Sequence, residues 1–215
     1  MSGDHSATNT LNMAWEATAS CFSDNPIASP VVPCPDQSGS SGGKGWTVAE
    51  VKTIISKTDP KVIEEICNGK IKIITFDTAY DKWKYDDGRE EEDELKGLLG
   101  NTIRDKKEIR IRNSMTSQEA ASTLFHEMGH MTRKAPSTQE GYLQEEIDVR
   151  VETEEFRIRQ GMASTAKGYR TPAGKVDRAF IENQIKNSTH YNPKGRKRIG
   201  RRYVGEAIPS GWCPP

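Results

Sequence analysis

Two hydrophobic periods alternate along this chain, and the switches between them mark its elements. Thr47-Val-Ala-Glu50 is a capping box, and Val48, Val51, Ile54 and Ile55 form a helical stripe behind it. Asp59-Pro60 restarts a helix, with Asp as N-cap and Pro at the first helical position. Val62, Ile63 and Ile66 are its apolar face and Asn68-Gly69 its end. Lys70 to Phe76 reads as a strand. From Tyr80 to Glu94 the chain turns polar and acidic around Asp86-Asp87-Gly88, and the pattern predicts a solvated loop. Glu108 to Asn113 alternates cleanly, with Ile109 and Ile111 on one face and Glu108, Arg110 and Arg112 on the other: a half-exposed strand. A second capping box, Thr116-Ser-Gln-Glu119, opens a helix carrying Ala120, Ala121, Leu124, Phe125 and Met128, which must stop before Pro136. Further helices are predicted over about 143–160 and 175–186, and the stretch from Lys194 to Arg202 is basic.

The region before Trp46 lacks either period. Pro26, Pro30, Pro33 and Pro35 precede a Ser/Gly run ending at Gly45, so 1–45 reads as an irregular arm and linker and 46–215 as one folded domain. Trp15, Phe22, Ile27, Val31 and Val32 predict that part of the arm docks on something. The composition narrows the function. Thirty-one Lys+Arg balance thirty-one Asp+Glu, which argues against a protein that coats nucleic acid. No apolar run approaches a membrane span, and the first twenty residues lack the basic and apolar regions of a signal peptide. Cys21, Cys34, Cys67 and Cys213 form no CxxC; they read as free thiols, or else as one or two disulfides pinning the chain ends, which would imply an oxidising destination and an unconventional export route.

The chemistry concentrates in Phe125-His126-Glu127-Met128-Gly129-His130. On a helix, the i, i+4 spacing of an HExxH places both imidazoles on one face, able to reach one Zn²⁺. Glu127 lies to the side, placed to act on a metal-bound water as general base. A hydrolytic zinc site wants a third protein ligand. Position 136 is Pro, which excludes the HExxHxxGxxH pattern. The next helix offers Glu145, Glu146, Asp148, Glu152, Glu154 and Glu155. Glu145 and Glu152 share one stripe of that helix and Glu146 lies on another, between apolar faces marked by Ile147, Val151 and Ile158 and by Val149 and Phe156.

FHEMGH followed by Gln144-Glu145-Glu146-Ile147 resembles the zincin metallopeptidases, in particular the compact effector and toxin peptidases of bacteria, and shares its Glu-Glu pair with clostridial neurotoxin light chains. The resemblance covers about residues 105–160. It implies an α+β zincin-like single domain, a small mixed sheet packed on the HExxH helix. It implies His126, His130 and Glu146 as zinc ligands, Glu127 as base and Glu145 as their neighbour. The gap from His130 to Glu146 is shorter than in many such enzymes, which keeps Glu152 and Asp148 as rivals. It also implies that the strand from Glu108 runs along the cleft and pairs with an extended substrate. Oxyanion stabilisers are sought among Tyr142, Tyr169, Arg170, His190 and Tyr191, with Tyr191 the choice.

The expectation is therefore zinc-dependent hydrolysis of a protein or peptide. The resemblance implies an effector made in a bacterial cytoplasm and exported by a dedicated machine, with that machine or an immunity protein as partner. Neither nucleic acid nor a membrane span is expected. The rivals are a cytosolic regulatory peptidase, a hydrolase of another amide such as a cell-wall bond, and a binding module with a vestigial metal site. Intact Glu127 argues against the last.

Overall fold

The computed structural model describes residues 14–16, 45–188 and 195–213. Their order is β1 (Ala14–Glu16), α1 (Val48–Ser56), α2 (Lys61–Gly69), β2 (Lys72–Phe76), β3 (Thr78–Tyr85), β4 (Glu90–Glu94), β5 (Leu98–Ile103), β6 (Glu108–Arg112), α3 (Ser117–Thr132), α4 (Gln139–Arg159), α5 (Arg178–Asn187) and β7 (Arg196–Val204). The fold class is α+β. One sheet has the order β1-β5-β6-β2, with β2 parallel to β6 and the other pairs antiparallel; the second is an antiparallel β4-β3-β7.

Both capping boxes close as the spacing requires. Thr47 and Thr116 accept from the amides of Glu50 and Glu119, whose carboxylates return to the cap amides at 3.0 and 2.9 Å. Ser117 Oγ also donates to Glu50 at 2.8 Å, so the two helix starts share one carboxylate. Asp59 does not cap α2. Its carboxylate takes the Thr58 hydroxyl and Arg159 instead, and the helix begins after Pro60 without a side-chain cap.

The acidic segment from Tyr80 is not a loop. It forms β3 and β4 around the expected turn, where Gly88 adopts φ 86°. Ala79, Asp81 and Trp83 turn inward. The exposed acids of β4 and Asp81 are matched by bases: Lys82 with Glu90, Arg196 with Asp93, Arg202 with Glu92, and Arg201 with Asp81. The basic stretch near the C-terminus is thus β7, the third strand of this charge-matched sheet.

Of the arm, β1 adds a strand to β5, with Trp15 at the register position opposite Gly100. The flanking residues 1–13 and 17–44, including Cys21 and Cys34, lie outside the described residues. Cys67 and Cys213 form a disulfide rather than free thiols.

The main core lies between the first sheet and the helices. Ile73, Ile109 and Ile111 pack with Val51, Ile55, Leu124, Met128 and Phe156. Ile109 and Ile111 therefore face the HExxH helix as expected. The strand carrying them does not offer an edge, because β6 is paired along its length with β2 on one side and with β5 on the other. A substrate strand cannot be added there. On the far side of α4, Ile147 packs against Ile181 and Ile185 of α5. The α4 helix is thus buried on two faces, which leaves its intervening stripes for polar work.

Candidate metal centre

The candidate centre is built where α3, α4 and β5 meet. Gly129, inside the HExxH motif, lets α4 come close: a Cβ there would sit 3.0 Å from Val149 Cγ1. Across that contact His126, His130 and Glu146 converge, all buried, their ligand atoms within 4.8 Å of one another. The Nε2 atoms of the two histidines are 3.1 Å apart. Glu146 lies 3.7 Å from His126 Nε2 through Oε1 and 3.3 Å from His130 Nε2 through Oε2. Tetrahedral ligands about 2.0–2.1 Å from one ion sit roughly 3.3–3.4 Å from each other, close to the two imidazole nitrogens' separation here and to that of His130 Nε2 from Glu146 Oε2.

The outer contacts fix how each ligand is presented. Thr153 donates its hydroxyl to the Val149 carbonyl at 2.7 Å, so it accepts from His126 Nδ1–H at 3.2 Å. His130 Nδ1–H donates to Glu145 Oε1 at 2.6 Å, and Glu145 also receives Arg104, whose Nε donates to the His130 carbonyl at 2.7 Å. With both Nδ1 atoms committed outward, both Nε2 atoms point at the same spot. Arg150 donates to Glu146 Oε1 at 2.6 Å, while buried Oε2 faces His130 Nε2 at 3.3 Å. Two inward imidazole nitrogens and a carboxylate oxygen form a group that could hold a metal ion, and zinc fits that donor set.

Burial pulls His126 well below its usual pKa. Burial also opposes charge on His130, but the carboxylates of Glu145 and Glu146 outweigh it and hold His130 up at about 9. For Glu146 burial is overcome by Arg150, His126 and His130, and its pKa falls well below the carboxylate range. Of the two imidazoles, burial keeps His126 neutral, and Glu146 stays ionised beside both.

Glu127 faces the other way, toward β5. Its Oε2 accepts from the Thr102 hydroxyl at 2.7 Å, and Oε1 has no partner. Gly100 leaves the space it fills, since a Cβ on Gly100 would lie 2.8 Å from Glu127 Oε1 and 2.6 Å from Thr123 Cγ2. Burial pushes Glu127 up to about 7, against the pull of His130 and Thr102. That is a carboxyl able to take and give a proton near neutrality.

The rival carboxylates point elsewhere. Glu152 pairs with Arg133 at 2.5 Å, and Asp148 pairs with Arg178. Among the oxyanion candidates, Arg170 is bound to Glu154 and the Met162 carbonyl, and the Tyr169 hydroxyl accepts from Arg150 behind Glu146. His190 and Tyr191 lie outside the described residues. Thr102, Thr153, Arg104 and Gly100 escape sequence reasoning, because nothing local to them signals the site. Only the position of Thr153, on the helix already expected to carry a ligand, offered a hint. Comparison with protein-family models, curated proteins and solved structures finds no match, so the site is judged on its own geometry.

Proposed function

We propose that the protein is a zinc-dependent peptidase, with His126, His130 and Glu146 holding the metal and Glu127 as general base. The observation that carries this reading is the buried His126–His130–Glu146 group with a proton-handling carboxylate one residue along the same helix. A zinc ion held by His126, His130 and Glu146 would supply Lewis acidity to a carbonyl and lower the pKa of water toward neutrality. Glu127 accepts the proton of the attacking water and returns it to the leaving nitrogen. Thr102 holds one carboxyl oxygen, and the other, Oε1, has no hydrogen-bond partner and is free to carry that proton. Glu145 and Thr153 keep the two imidazoles in the tautomer that presents Nε2 inward. The Cys67–Cys213 disulfide is of a kind that persists outside a reducing cytosol, which supports the reading of an exported effector.

The test is metal analysis alongside cleavage of a peptide library. Wild type and Glu127→Gln are each expected to carry one zinc per chain, and His126→Ala to carry none. Cleavage is expected only in wild type, with Glu127→Gln down about 100-fold or more. Full activity in Glu127→Gln would remove the base, and zinc-free wild type would remove the metal.

A further inference from the structure

Along β5 the side chains alternate. Gly100 and Thr102 turn to Glu127, so Asn101 and Ile103 turn to the opposite face, toward the second sheet. There a cavity of about 310 Å³ is lined by Asn101, Lys106, Arg110, Arg201 and Tyr203 among others. Asn101 is 1% exposed, and neither its amide nitrogen nor its amide oxygen has a hydrogen-bond partner. A buried carboxamide left unbonded at both ends is costly and rare unless something else binds it.

Two more buried donors share the cavity. Arg201, with its side chain 6% exposed, gives Nε and Nη2 to Asp81 at 2.5 and 2.6 Å and faces the Tyr203 hydroxyl. Asp81 also faces Arg198 at 3.6 Å, so both guanidiniums lie on one carboxylate behind the cavity. The Tyr203 hydroxyl faces Arg201, and its own proton has no acceptor. Burial raises its pKa, so it keeps its proton and donates. Arg110 donates through Nε to Glu206 at 2.7 Å and lies over the Tyr203 ring at 4.7 Å, which fixes the phenol, and its buried Nη1 adds a further donor to the cavity.

The Tyr203 O–H, polarised by Arg201, and Asn101 Nδ2 line one cavity, and an acceptor-only group satisfies both: a carboxylate. The exposed Asp105 and Glu206 beside the cavity repel a polyanion, which disfavours phosphates. Asn101 Oδ1 remains as an acceptor and calls for a neighbouring N–H. We infer that this cavity is a second binding site, distinct from the metal centre, for a carboxylate adjacent to an amide N–H, as at the C-terminus of a peptide.

The probes are N-acetyl-Ala-Ala as the free acid and as its C-terminal amide, titrated into the full-length protein by calorimetry and by NMR of the Asn side-chain amides. The acid is expected to bind at least tenfold more tightly than the amide and to shift the Asn101 side-chain resonances. Asn101→Leu, near in volume, is expected to lose at least tenfold in affinity for the acid while melting no lower than wild type, since it removes an unbonded amide. Tyr203→Phe, which keeps the ring under Arg110, is expected to weaken the acid alone. Equal binding of acid and amide, no binding of either, or full affinity in Asn101→Leu overturns the assignment. Should Asn101→Leu fold poorly, the acid-to-amide comparison on wild type still decides. Neither zinc nor turnover enters these measurements, so their failure leaves the peptidase reading standing and the reverse also holds.

Discussion

At the scale of single residues, the helix period made the two histidines legible in the sequence, because four residues along a helix is one turn on one face. The third candidate ligand was not legible from the helix alone: Glu145 and Glu146 are adjacent, and either stripe of α4 could have turned toward α3. The fold separates them by their partners. Glu146 meets both Nε2 atoms, Glu145 meets the outward Nδ1 of His130, and Glu152 is drawn to Arg133. These positions order the effects of neutralisation. Glu146→Gln removes a charged ligand yet keeps an oxygen for Arg150, and it is expected to shed zinc under mild chelation. Glu145→Gln weakens the orientation of His130 and is expected to cost about 10–100-fold in zinc affinity. Glu152→Gln is expected to bind zinc as wild type does. Chelator competition followed by absorbance of a zinc-responsive dye ranks the three, and zinc loss in Glu152→Gln ahead of Glu146→Gln would reassign the ligand.

At the scale of elements, the strands built on apolar alternation were visible and those built on charge were not. Ile109 and Ile111 announced β6. Glu90 to Glu94 look like a solvated run because the pattern of β4 is completed only by bases from other strands, such as Lys82 and Arg202. The β5 strand was missed for a related reason: Leu-Leu-Gly-Asn-Thr-Ile breaks its own period at Gly100, and that glycine is what allows α3 to lie against it. The catalytic proposal depends on this close approach, since Glu127 occupies the space a side chain would take. Gly100→Ala puts a Cβ within 2.6–2.9 Å of Thr123 and Glu127. Overpacking of that kind costs about 1–3 kcal/mol. Urea unfolding of Gly100→Ala is expected to show that loss, with zinc content unchanged and peptide cleavage reduced, because the displaced group is the carboxyl and not a ligand. A variant as stable and as active as wild type would mean that α3 and β5 have room to spare.

At the scale of the whole molecule, the segment after β7 ties the layers together. Ala207 exchanges both backbone hydrogen bonds with Thr75, at 2.8 and 3.0 Å, joining the second sheet's strand to the edge of the first. Farther on, the carbonyls of Gly211 and Trp212 accept from Lys52 Nζ at 2.9 and 2.8 Å, Trp212 enters the main core near Trp46, and Cys213 reaches Cys67 on α2. Little of this was legible, because Pro-Ser-Gly-Trp-Cys carries no period and the pairing of four cysteines is not encoded in their spacing. The cross-link spans 146 residues, a loop long enough that closing it in the unfolded chain contributes about 2–5 kcal/mol to stability. For a domain of this size that corresponds to about 5–15 °C in unfolding midpoint. Thermal unfolding with and without reductant is expected to show such a drop, and a Cys67→Ser/Cys213→Ser double variant is expected to melt at the lower value under both conditions. Zinc content at 25 °C should not change, because all three ligand side chains come from α3 and α4. A midpoint indifferent to reductant would show that the tail's packing through Trp212 and Ala207, rather than its covalent bond, closes the core.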